Sequence, residues 1–74
     1  MPLIEVKAIE KVFTPEQKRQ IITKLTDALV SIEGEELRPF TVVLIEETRS
    51  GDWAFGGKAI TTEDVHAMAA GKKL

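Results

Sequence analysis

The sequence predicts an α/β (α+β) fold: a βαβ unit with parallel strands, followed by a C-terminal hairpin and a short helix. Three observations predict it. Leu3 to Ile9 alternates with a period of two, a helical apolar stripe follows a capping signal at Thr14, and a continuous apolar run stands at Val42 to Ile45. About 30 residues, a helix among them, separate the two strands. That length suits a parallel crossover connection.

In the first strand, Ile4, Val6 and Ala8 share one face, and Leu3, Glu5, Lys7 and Ile9 share the other. Residues 10–13 connect it to the helix. Thr14 is the cap, Pro15 fits the first helical position, and Gln17 completes a capping box. Ile21, Ile22, Leu25, Ala28, Leu29 and Ile32 then form one stripe, with Lys18, Arg19, Gln20, Lys24 and Asp27 facing water. Gly34 ends the helix as a C′ residue, and Glu35 to Pro39 turns the chain.

The second strand is expected over Phe40 to Glu47. Its run Val42 to Ile45 is apolar on both faces, so both faces should be buried. One helix covers only one side of a sheet, and a second subunit is expected on the other. Thr48 to Asp52 is a polar turn, and Trp53 to Ile60 is a hairpin around Gly56-Gly57. Thr61 or Thr62 caps a C-terminal helix with Glu63 and Asp64 in its first turn; Gly71 ends it, and Lys72 and Lys73 follow. No internal repeat or linker interrupts the chain, so residues 1–74 are read as a single domain.

Composition narrows the function. Ten basic residues are interspersed among twelve acidic ones. A nucleic-acid partner or an anionic membrane would select a basic face instead. The longest apolar run has four residues, far short of the roughly 20 that span a bilayer. The start has no basic n-region, so a cytoplasmic protein is expected. Without Cys there are no disulfides or thiolate metal sites, and His66 alone makes no metal site. No metal or other cofactor is expected. A domain near this size buries only about 60% of its unfolded surface, which makes self-association the expected source of further stability.

Few residues carry chemistry. Ser31 and Ser50 lack a neighbouring base, Gly56-Gly57 lacks the strand-to-helix context of a phosphate loop, and His66 reads as a solvated helix residue. Pro2 differs. Aminopeptidases remove Met readily before a small residue such as Pro, leaving a secondary amine at the start of a strand. Burial against apolar groups favours its neutral form, and a neutral amine near pH 7 is a competent general base.

Met-Pro-Leu-Ile leading into a strand, Glu16-Gln17-Lys18 early in the helix, and Trp53-Ala54-Phe55-Gly56-Gly57 after the second strand occur together here. The joint pattern resembles the 4-oxalocrotonate tautomerase family over roughly residues 2 to 60. The resemblance implies dimers of βαβ subunits, commonly assembled into hexamers, and a small unsaturated oxo acid as substrate. It implies that Pro2 moves the proton and that Trp53 lines the pocket. Ile9 and Phe55 join Trp53 as expected walls. Two departures stand out. The family's first Gly of the glycine-rich segment is Ala54, and its two carboxylate-binding arginines are absent: this chain has Val12 and Phe13 beside Lys11 at the place of one, and Val42 at the place of the other. Lys11 and Arg49 are the candidate replacements, with Arg38 and Lys58 behind them. Two alternatives stay open. One is a non-catalytic oligomeric binding subunit. The other is an enzyme of the same fold that hydrates or dehalogenates an unsaturated acid, with Glu10 or Glu47 activating water.

Overall fold

The computed structural model describes residues 1–72 of the chain, so the expected place of Lys73 after the last helix lies outside the described residues. In chain order the elements are β1 (Leu3–Ile9), α1 (Pro15–Glu33), a 3-10 segment (Glu35–Phe40), β2 (Val42–Thr48), β3 (Trp53–Phe55), β4 (Lys58–Ile60) and α2 (Thr62–Ala69). β1 and β2 pair in parallel from Leu3↔Val42 to Ile9↔Thr48. β3 and β4 form a separate antiparallel pair with Trp53↔Ile60 and Phe55↔Lys58.

The local signals act as their chemistry demands. Thr14 Oγ1 accepts the Gln17 N–H at 3.1 Å while Gln17 Oε1 accepts the Thr14 N–H at 2.9 Å, with Pro15 at the first helical position. This satisfies donors that every helix start leaves open. Gly56 and Gly57 have φ of 55° and 84°. A two-residue hairpin turn of this kind needs positive φ at both central positions. At the end of α2, the Gly71 N–H bonds to Met68 O and the Lys72 N–H to Ala67 O, which closes a Schellman motif with Gly71 at C′. Thr61 rather than Thr62 caps α2, again through a capping box, with Asp64.

Three expectations are corrected. Phe40 lies in the 3-10 segment, and β2 runs from Val42 to Thr48 rather than from Phe40 to Glu47. The strand begins and ends where β1 supplies a partner, at Leu3 and Ile9. Gly34 is the C-cap of α1, not C′; its φ of 105° and ψ of 152° are backbone values open essentially to glycine alone. The helix stripe also shifts: Ile21, Leu25 and Leu29 are half-buried and Val30 is buried, while Ala28, Ile22 and Ile32 are exposed, Ile32 at 84%. The nineteen residues of α1 extend about 28 Å. The seven-residue strands extend about 23 Å. Ile32 lies in the last turn of α1 and stays exposed.

Val43 and Ile45 share the helix-covered face with Ile4 and Val6, and Glu47 reaches Lys18 of α1 at 3.1 Å. The opposite face carries Leu3, Val42 and Leu44, with Leu3 and Val42 exposed. Among the described residues only Ile9, Val30 and Ile60 are buried hydrophobics. The chain is elongated, 44 × 23 × 19 Å, with a radius of gyration of 15.1 Å. A compact chain of this length has about 11 Å.

Candidate active site

Ile9 ends β1 and Ile60 ends β4; the two are 4% and 1% exposed. Around them the hairpin and α2 line an open pocket of about 300 Å³ whose walls include Val12, Phe13, Trp53 and Phe55. Trp53 pairs directly with Ile60 in the hairpin register, so its strand β3 is held by β4, whose end is buried in the core. Phe55 is exposed at the rim. Among the described residues lining this cavity, Lys7 alone is charged. Apolar walls of this kind favour the neutral form of an amine covered against them. The expected walls Ile9, Trp53 and Phe55 are thus brought together.

Pro2 is not brought to them within one subunit. It is half-buried just before β1, with its carbonyl accepting the Val42 N–H at 3.0 Å. The length of β1 separates it from Ile9, about 23 Å at strand rise. Met1 is 90% exposed, and while it is attached the Pro2 nitrogen is a tertiary amide with no basic lone pair.

The candidate cations lie apart from the cavity walls. Lys11 is exposed and has φ of 61°, a left-handed conformation that is costly for a side-chain-bearing residue. The His66 Nε2–H donates to its carbonyl at 3.0 Å, and both residues line a neighbouring open groove with Thr14 and Gln17. Arg49 is exposed on the β2–β3 turn, where its carbonyl accepts the Asp52 N–H at 2.9 Å. Neither is ion-paired among the described residues. Lys58 is exposed opposite Phe55. Arg38 is engaged elsewhere: it holds Glu35 through two bonds of 3.0 and 2.9 Å and Asp27 through one of 2.8 Å. Hydrogen bonding to Glu35 and then Asp27 raises the Arg38 pKa, and the same Arg38 bond lowers that of Glu35. Both water-activation candidates are likewise occupied. Glu47 pairs with Lys18, and Glu10 Oε2 accepts the Ser50 N–H at 2.9 Å. Among the described residues no group of three acidic or histidine side chains is placed to hold a metal ion.

Residues 2–63 match the model of the family described as tautomerase enzyme. The chain belongs to the tautomerase family. It is 34% identical over 61 residues to probable tautomerase K2 of Dickeya dadantii (strain 3937), covering 82% of this chain and 90% of that one. It is 38% identical over 61 residues to the 2-hydroxymuconate tautomerase of Bacillus subtilis (strain 168), covering 82% and 95%. The crystal structure of YwhB, a homologue of 4-oxalocrotonate tautomerase, superposes with a TM-score of 0.68 at 36% identity, covering 85% of this chain and 97% of that one. The family's chemistry is tautomerisation, an isomerase activity.

Two features of this tautomerase-family chain escaped sequence reading. Lys7 enters the cavity wall although its strand position reads only as an outward polar residue. Its ammonium also approaches Glu5 at 3.3 Å, with both side chains well exposed. Thr62 is 7% exposed and fully bonded, its N–H to Ser50 Oγ and its hydroxyl to the Glu10 carbonyl. The signal available in sequence was the second threonine after a complete capping pair Thr61–Asp64, a position with no capping duty of its own.

Proposed function

We propose that residues 1–74 act as one tautomerase-like unit in which the amino group of Pro2, freed by removal of Met1, is the catalytic base. It takes a proton from a small unsaturated oxo or enol acid and returns it at another carbon, a keto–enol or 1,3-proton transfer. Trp53, Ile9 and Phe55 of a second subunit supply the apolar wall. Lys11 and Arg49, free of ion pairs among the described residues, bind the carboxylate. The single observation that carries this reading is the apolar cavity around Trp53 standing one strand-length from Pro2. Family membership supports the reaction class. The distance supports a site completed between copies, and the sparse core and uncovered sheet face support a homo-oligomer, a dimer or a hexamer.

The test compares protein with Met1 removed, verified by intact mass, with protein in which Met1 is retained. Ketonisation of a phenylpyruvate-type enol is followed by absorbance. The processed protein accelerates it, and the retained form does not. Equal rates would show that the amine is not the base. With neither of the family's two arginines present, a dicarboxylate muconate-type substrate is handled poorly.

A further inference from the structure

We propose that Glu10 is a positioning residue: with Ser50 and Thr62 it forms a closed hydrogen-bonded ring that fixes the hairpin bearing Trp53 against the end of β1. The inference rests on the reading of Trp53 as a site wall. Each residue of the ring comes from a different junction. Glu10 follows β1, Ser50 lies between β2 and β3, and Thr62 opens α2 after β4. Glu10 Oε2 accepts the Ser50 N–H at 2.9 Å. Ser50 Oγ accepts the Thr62 N–H at 2.9 Å. The Thr62 hydroxyl donates to the Glu10 carbonyl at 2.6 Å and closes the ring. The Glu10 N–H, in turn, continues the sheet by bonding to Thr48 O at 2.7 Å.

The hairpin needs such a fixture. It shares no sheet with β1 and β2, and a two-stranded ribbon alone is marginal in water. Its apolar anchor is Ile60 against Ile9. Apolar contact is non-directional; it retains the hairpin without setting its angle. Hydrogen bonds are directional, and this ring sets the angle within two residues of Ile60 and three of Trp53. It also satisfies the first free N–H of α2, which the Thr61–Asp64 capping box leaves open. The Glu10 carboxylate is committed to a backbone donor, so its role is as an acceptor and not as a base for water.

Trp53 is the only tryptophan of the chain, so its fluorescence reports hairpin position directly. The experiment compares Glu10→Gln, which keeps an acceptor oxygen for Ser50, with Glu10→Ala, which removes it. Emission, anisotropy, kcat and KM are measured at a temperature where all forms are folded by circular dichroism. Glu10→Ala red-shifts Trp53 emission, lowers its anisotropy and cuts kcat/KM by about ten- to a hundredfold, as a small misplacement of a site wall does. Glu10→Gln stays within about twofold of the parent, as expected for a neutral substitute that keeps the bond. Ser50→Ala, which breaks the ring without touching Glu10, reproduces the Glu10→Ala emission and takes its place should Glu10→Ala fail to fold. Unchanged Trp53 emission in Glu10→Ala or Ser50→Ala overturns the proposal. So does a Glu10→Gln protein as inactive as Glu10→Ala, which would make the carboxylate a chemical group. A parent protein without tautomerase activity would remove the proposed function, while the emission of the variants would still decide whether the ring fixes the hairpin.

Discussion

A proton-accepting nitrogen at Pro2 requires cleavage of one peptide bond, and Met1, at 90% exposure, is open to that cleavage. Pro2 itself is held by the backbone bond from Val42, so the freed amine starts from a fixed strand end. Pro2→Ala keeps an amino terminus but makes it a primary amine in a looser frame. Its rate should fall about tenfold to a hundredfold and not vanish, less than the roughly 10²–10⁴-fold that general base catalysis as a whole supplies. The pH–rate profile should rise with pH as the ammonium loses its proton, then level off. Desolvation by the Trp53 cavity disfavours the charged form, so the midpoint should lie below that of a free secondary amine. A flat profile, or a midpoint at or above the free amine's, would count against a base buried in that cavity. Lys11→Ala and Arg49→Ala should each lower kcat/KM by roughly the 1.5–3 kcal/mol of a charge-assisted hydrogen bond. Unchanged kinetics in both, with a loss in Lys7→Ala, would transfer the carboxylate to the cation in the cavity wall.

Elements are joined here by short directional devices. Arg38 spans from the 3-10 segment to Asp27 of α1 through Nη1 while gripping Glu35 through Nε and Nη2. Because Glu35 has a lowered pKa in the folded chain, its contribution to stability is present above the ordinary carboxylate range. It is lost as pH falls through its lowered folded value. Arg38→Ala should therefore lower the Tm at pH 7, and the gap to the parent should narrow as the pH drops below the carboxylate range. A gap that persists unchanged in acid would assign the effect to packing of the arginine stem. In the hairpin, Gly57 has φ of 84°. Gly57→Ala should cost about 1–2 kcal/mol in urea unfolding, the penalty for a side chain in left-handed backbone. No cost there would mean that the turn readily adopts another conformation.

The whole chain is under-buried. Its accessible surface is 5473 Å², whereas a compact monomer of 8.2 kDa exposes about 4,500 Å². Among the described residues the two-stranded β1–β2 sheet has both edges unpaired and one face carrying exposed Leu3 and Val42. Open edges and apolar faces of this kind are normally covered. Light scattering at micromolar concentration should give a dimer or larger, with a hexamer as the expected end state. A folded species of monomer mass would contradict both the assembly and the site shared between subunits. Leu44→Glu, which places a charge on the uncovered face between Val42 and Glu46, should shift the distribution toward smaller species and lower activity with it.

The sequence by itself determined what local chemistry controls. The alternation of Leu3 to Ile9, the Thr14–Gln17 box and the Gly56-Gly57 turn specify their conformations through neighbours a few residues away, and each forms as read. Pro2 and Trp53 were legible as candidates because their chemistry is written in residue type and position. Tertiary structure decided what depends on partners distant in the chain. The helix buries Val30 and leaves Ile32 exposed, a choice set by what packs against each turn. β2 took its bounds from β1, residue by residue. The commitment of Glu10 to Ser50 spans 40 positions, and that of Thr62 to Glu10 spans 52. A hydrogen bond needs its partner within about 3 Å, and no period or propensity in a sequence sets that distance across such separations.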